Sequence, residues 1–170
     1  ARALHKSAEG LQSAVEGGSN VVAPAQNLVG AVNQVPLILV VDDSITMRKV
    51  TTRVLERADM DVVTAKDGLD AVEKLQDSIP DLMLLDLKMP GIDGLQLLET
   101  LRIRGHTVPI LMISGVGTVD LAVRSLHLGA DDFLTKPVEP DILAGRVAEL
   151  LDSRPSGDAR AHAGREIIGR

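Results

Sequence analysis

The sequence predicts a doubly wound α/β domain, with five parallel strands covered by five helices. Three observations predict it. Apolar strand-like runs and amphipathic helical stretches alternate five times between Leu37 and Leu151, the pattern of a parallel sheet with right-handed crossovers. The runs are continuously apolar rather than alternating, as strands buried on both faces must be. Polar residues fall at the C-terminal ends of these runs, the edge where open α/β sheets gather ligands.

Each element has its own signal. Leu37 to Val41 is the first apolar run, and Asp42 and Asp43 close it. Met47, Val50, Thr51, Val54, Leu55 and Ala58 then recur at helical spacing, with Ser44 or Asp43 placed to cap the helix. Asp61 to Ala65 is the second strand, and Asp67-Gly68 turns it into a helix carrying Ala71, Val72 and Leu75. Leu82 to Leu85 is the third strand, which ends in Asp86 and a loop built on Pro90, Gly91 and Gly94. The next helix carries Leu95, Leu98 and Leu101 and ends near Gly105. Pro109 to Ile113 is the fourth strand, followed by Ser114-Gly115. Val119, Ala122, Val123 and Leu126 mark a fourth helix, stopped by Gly129. Asp132 to Thr135 is a short fifth strand ended by Lys136-Pro137. A last helix runs from about Pro140 to Leu151, with a stripe of Leu143, Val147, Leu150 and Leu151.

The flanks read differently. Leu4, Ala8, Leu11 and Val15 give residues 1 to about 17 a short heptad-like pattern, too brief for a coiled coil. Gly17 to Gln34 mixes Gly, Ser, Asn, Ala and Pro like a linker. The expected organisation is an extension over residues 1–35, a domain over 36–152 and a flexible tail over 153–170.

Composition limits the function classes. The 170 residues are 45% hydrophobic, enough for one domain with a core plus tails. A net charge of -6 argues against direct nucleic-acid binding and suits a cation site made of carboxylates. Cysteine is absent, which removes disulfides and thiolate metal sites. No apolar run reaches membrane-spanning length and no signal-peptide pattern opens the chain, so a cytoplasmic protein without membrane insertion is expected. The first residue is Ala1, as in a fragment of a longer chain.

The strand ends carry the chemistry. In a 2-1-3-4-5 strand order the switch point falls between the first and third strands, which brings Asp42, Asp43 and Asp86 together. Three crowded carboxylates repel each other unless a cation neutralises them. Mg2+ suits that role, since it takes one or two carboxylates and shares the phosphate oxygens of a substrate. A carboxylate can itself be a phosphoryl acceptor. Asp86 would attack phosphorus, while Mg2+, Lys136 and the Ser114 hydroxyl each balance one phosphoryl oxygen. Each residue also has a plainer reading: an acidic pair as a helix cap, Asp86 and Ser114 as turn residues, Lys136-Pro137 as a helix boundary. Those readings require suitable residues at four of five strand tips by coincidence.

Leu37 to Ser44 (LILVVDDS), Asp81 to Gly94 (DLMLLDLKMPGIDG), Ile113-Ser114-Gly115 and Gly129 to Pro137 (GADDFLTKP) together resemble the receiver domain of two-component response regulators, over about residues 36 to 152. The resemblance implies a flavodoxin-like fold and a phosphoacceptor aspartate, Asp86, loaded by a histidine kinase or histidine phosphotransfer protein. It implies that Asp42, Asp43, Asp86 and the backbone carbonyl of Lys88 hold Mg2+. It also implies that Lys136 contacts the phosphate through a strand end whose bond to Pro137 is cis, and that Ser114 is a switch hydroxyl. Phe133, the only aromatic in the chain, matches the switch aromatic. Phosphorylation would then alter the surface of the fourth helix, fifth strand and fifth helix, read by a downstream partner or an attached domain.

Such a module is not an enzyme toward other substrates; it catalyses only its own phosphorylation and dephosphorylation. Arg124, Asp132 and Arg146 match three charged positions of a dimer face in the winged-helix branch of regulators, but Ile142 replaces an acidic one. A weak homodimer through that face is therefore set against a solvated charged surface. Ser44 to Val50 is similar to receivers at the C-terminus of chemosensory hybrid histidine kinases, with a free-standing regulator as the second context. Lys88 and Val116, two beyond Asp86 and Ser114, bear on phosphoryl lifetime, and Val116 cannot position a water by hydrogen bonding. Two other functions compete: a degenerate receiver that binds partners without phosphorylation, and a Mg2+-dependent aspartyl phosphatase. The phosphatase reading is disfavoured by Lys88, which stands where such enzymes place a second Asp.

Overall fold

The computed structural model describes residues 34–153; the expectations for the extension and for the tail beyond Ser153 lie outside them. A compact unit begins at Pro36. Its elements are β1 (Leu37–Val41), α1 (Ile45–Arg57), β2 (Asp61–Ala65), α2 (Gly68–Asp77), β3 (Leu82–Asp86), α3 (Gly94–Ile103), β4 (Ile110–Ser114), α4 (Val119–His127), β5 (Asp132–Thr135) and α5 (Pro140–Asp152). The five strands form one sheet of order β2-β1-β3-β4-β5, with every pairing parallel.

The continuous apolar runs are explained by two cores, one on each face. Leu39, Val41, Met83, Leu85 and Met112 point to one layer, where they meet Ala71 and Leu75 of α2 and Leu97, Leu98 and Leu101 of α3. Ile38, Val40, Leu82, Leu84, Leu111 and Ile113 point to the other, against Leu55 of α1 and Leu143 and Val147 of α5. Successive side chains alternate between faces, so a central strand has no solvent side on which to place a polar residue. β1, β3 and β4 are the central strands, and they supply most of the tip residues.

Four of the five helix starts are fixed by side-chain caps. Ser44, rather than Asp43, caps α1 by accepting from Met47 N. Asp67 caps α2, and Thr118 caps α4. Asp93 and Gln96 form a reciprocal capping box at α3, the arrangement that satisfies two otherwise unpaired N–H groups.

α4 forms where its apolar residues mark it, but most of them face out: Val119, Val123 and Leu126 are 79%, 44% and 47% exposed. The fully buried position is Ser125, whose hydroxyl donates to Leu121 O at 2.7 Å. That local bond lets a serine face the core without an unsatisfied group. Periodicity identifies a helical face, but tertiary packing decides which way it turns.

Candidate functional site

β1, β3, β4 and β5 all end on the same edge of the sheet, and their last residues meet there. Asp42 follows β1, Asp86 ends β3, Ser114 ends β4 and Lys136 follows β5. The Asp86↔Ile113 and Ser114↔Thr135 pairings set these tips in register. β3 and β4 each extend one residue past the apolar run, so Asp86 and Ser114 are held by ladder geometry.

Asp42 is 6% exposed and Asp86 7%, while Asp43 is exposed. One oxygen from each of the three carboxylates lies within 4.8 Å of the others. Asp42 is firmly fixed: Oδ1 accepts from Ser44 N at 2.9 Å, and its carbonyl accepts from Arg48 Nη1 at 2.6 Å. Lys136 Nζ donates to Asp42 Oδ2 at 3.1 Å and stands 3.4 Å from Asp86 Oδ1. Asp86 Oδ2 has no hydrogen-bond partner among the described residues, and no side-chain polar atom there is buried without one. That oxygen is therefore within reach of solvent, as an acceptor of an incoming group must be.

The electrostatics agree with the geometry. Burial, and then the Asp42 charge, push the Asp86 carboxyl above its ordinary value, despite the opposing pull of Lys136. Burial alone would lower the Lys136 ammonium, but its bond to Asp42 and the charges of Asp42 and Asp86 hold it above its ordinary value. The site is short of positive charge and rich in hard oxygen donors, so the three aspartates fit a divalent cation such as Mg2+.

The remaining predicted residues fall around this centre. Lys88 lies on the loop after β3 and lines the same surface groove as Asp43. The Lys136–Pro137 peptide is cis. Phe133 is half-buried and packs on the core layer of α2 and α3. The Ser114 side chain is fully buried, and its hydroxyl donates to Val116 O and accepts from Val116 N, both at 3.0 Å. Arg124 is exposed on α4, while Arg146 pairs with Asp132 within the chain.

Sequence reasoning missed two supports. In the sequence Arg48 is only part of a motif, yet it holds the carbonyl of Asp42. In the sequence Gly94 reads as a loop residue, yet it starts α3 against the backbone at the end of β3. A Cβ there would lie 2.2 Å from Asp86 O. Its N–H donates to Leu87 O at 2.8 Å. The signal was a glycine followed at once by helical leucines, which marks a close approach as readily as a turn.

Comparison with known proteins places this geometry. The family described as the response regulator receiver domain matches residues 38–148. The alkaline phosphatase synthesis transcriptional regulatory protein PhoP of Bacillus subtilis is 40% identical over 114 residues, which are 67% of this chain and 48% of that protein. A probable transcriptional regulator, ycf27, of Cyanophora paradoxa is also 40% identical, over 67% of this chain and 47% of its own length. The chain thus spans about half the length of these curated relatives. Among solved structures, the receiver domain of NtrX from Brucella abortus superposes with a TM-score of 0.66 at 34% identity, covering 69% of this chain and 99% of that one. Vibrio cholerae chemotaxis protein CheY4 superposes with a TM-score of 0.65 at 28% identity, covering 69% and 99%.

Proposed function

The chain belongs to the response regulator receiver domain family of two-component signalling, and from that membership we propose that Asp86 is its phosphoacceptor, served by Mg2+ and Lys136. The observation that carries this reading is the Asp86 carboxylate itself. It is buried at a strand tip, one oxygen faces Lys136, and the other lies open beside two more carboxylates.

The reaction follows from that arrangement. Asp86 Oδ2 attacks the phosphorus of a phosphohistidine. The P–N bond breaks, its electron pair passes to the imidazole nitrogen, and an acyl phosphate P–O bond forms. Phosphoryl transfer needs mainly positioning and charge neutralisation. Asp42, Asp43 and Asp86, with the Lys88 carbonyl, would hold Mg2+, which supplies positive charge to one phosphoryl oxygen. Lys136 neutralises a second. The Ser114 hydroxyl exchanges its Val116 partners for the third.

That exchange is the output step. Releasing Val116 frees the link between β4 and α4, and Phe133 lies on the neighbouring strand. The dianionic phosphoryl group that replaces the single carboxylate charge of Asp86 thereby biases the surface of α4, β5 and α5. The exposed Val119, Val123 and Leu126 give that surface an apolar stripe for a protein partner. The upstream partner is a histidine kinase or phosphotransfer protein.

Incubating the chain with phosphoramidate, the simplest P–N donor, tests the reading. It should become phosphorylated with Mg2+ and not with EDTA. Equal labelling in both conditions would overturn the metal assignment, and no labelling in either would overturn the acceptor role.

A further inference from the structure

We propose that Gly117 and Thr135 form a seat that holds the β4–α4 link down on β5, and so sets how readily Ser114 can serve the phosphoryl group. The inference rests on the phosphoacceptor reading above and adds two positioning residues to it.

The link runs from Gly115 to Thr118. Its first anchor is the Ser114 hydroxyl, bonded to both backbone groups of Val116. Its second is steric. A Cβ on Gly117 would stand 2.5 Å from Thr135 Oγ1, 2.6 Å from Thr135 Cγ2 and 3.1 Å from Thr135 Cβ. The backbone of residue 117 therefore lies directly on the Thr135 side chain. Gly117 does not have a positive φ, so the constraint on a side chain there is close approach to the Thr135 side chain and not backbone conformation. Gly115, two residues earlier, has nothing within 4 Å of its own Cβ position and no positive φ.

The seat connects the two phosphate-contacting groups. Thr135 is the ladder partner of Ser114, and Lys136 follows it in the chain. Lys136 N donates to Ser114 O at 2.7 Å. A continuous path runs from the Ser114 hydroxyl through Val116 and Gly117 to Thr135 and Lys136. A side chain at 117 lifts the link off β5. Val116 then moves away from Ser114, and the hydroxyl loses the position from which it can turn to a phosphoryl oxygen. α4 begins one residue after Thr118, so the same displacement shifts its start.

Gly115→Ala, Gly117→Ala, Thr135→Ala and the Gly117→Ala/Thr135→Ala double variant of the full chain test this. Each is treated with acetyl phosphate and Mg2+, and amide hydrogen exchange at Val116 is followed in parallel. Gly117→Ala should slow labelling about tenfold and expose the Val116 amide to exchange. Gly115→Ala, the same change without a neighbour, should do neither. Thr135→Ala removes the two nearest obstructing atoms, so the double variant should regain most of both losses. Circular dichroism confirms that each variant is folded. Wild-type rates and protection in Gly117→Ala, or a double variant as impaired as the single one, would overturn the seat. Failure of the wild-type chain to label would instead overturn the acceptor role of Asp86, while the exchange data would still report on the seat.

Discussion

Lys136 Nζ lies 3.4 Å from Asp86 Oδ1, so the end of β5 supplies a cation to the end of β3 across the width of β4. The same ammonium donates to Asp42. One ammonium thus serves two of the site's three carboxylates, and the arrangement has measurable consequences.

Asp86 should cost the protein stability at neutral pH. Its folded value lies above the ordinary 3.8 because of burial and the Asp42 charge. Between 3.8 and that raised value the folded state binds the proton more tightly than the unfolded chain. The contribution of this group therefore falls as pH rises through that window and stays unfavourable above it. Asp86→Asn should melt a few degrees above wild type at pH 7 without Mg2+, and the difference should fade below about pH 4. Mg2+ should raise the melting temperature of wild type more than that of the variant. A variant that melts below wild type at pH 7 would contradict this.

The aspartyl phosphate should be long-lived. Val116, two residues past Ser114, has no side-chain group to orient an attacking water. Loss of label after removal of donor should take minutes or longer. A half-life of seconds would contradict it.

Gly94→Ala should be among the most damaging single-methyl additions. The new Cβ would meet the carbonyl of Asp86 at 2.2 Å and Leu87 Cα at 2.8 Å, both backbone atoms that cannot rotate aside. Overpacking of this kind costs about 1–3 kcal/mol, and here it also displaces the acceptor strand. Denaturant melts and the labelling rate should both fall. By contrast Gly145→Ala, in α5 with nothing within 4 Å, should add about 0.5–1 kcal/mol.

Arg102 ties three segments at the far end of the sheet. Its guanidinium donates to Gly129 O at 2.9 Å, His106 O at 2.7 Å and Asp131 Oδ2 at 3.2 Å. Asp131 Oδ2 also accepts from Ile110 N at 2.8 Å. Arg102→Ala should cost about 2–3 kcal/mol in chemical denaturation. Arg102→Lys should recover little, because one ammonium cannot span three acceptors. Labelling of Asp86 should be unchanged in both.

Much of this was legible in the sequence, for identifiable reasons. A strand buried on two faces has to be apolar throughout, so β1, β3 and β4 announce themselves, and the first polar residue after each run marks the tip. That logic places Asp42, Asp86 and Ser114 on one edge before any coordinate is known. It fails where the controlling contact is long-range and uncharged. Gly94 against Asp86 and Gly117 against Thr135 are close approaches of backbone to distant residues, and a glycine gives no clue to its neighbour. It fails again at α4, where the richer apolar stripe lies outside and Ser125 is buried on a hydrogen bond made within the helix.

The most direct test of the account is to map the phosphoryl group. The full chain and its Asp86→Asn variant are each treated with acetyl phosphate and Mg2+, measured by intact mass, and reduced with borohydride to mark the modified carboxyl in peptides. Wild type should gain a single phosphoryl group that is labile to hydroxylamine and maps to Asp86, and the variant should gain none. A group that maps elsewhere, or persists in Asp86→Asn, would contradict the assignment of Asp86 as the acceptor.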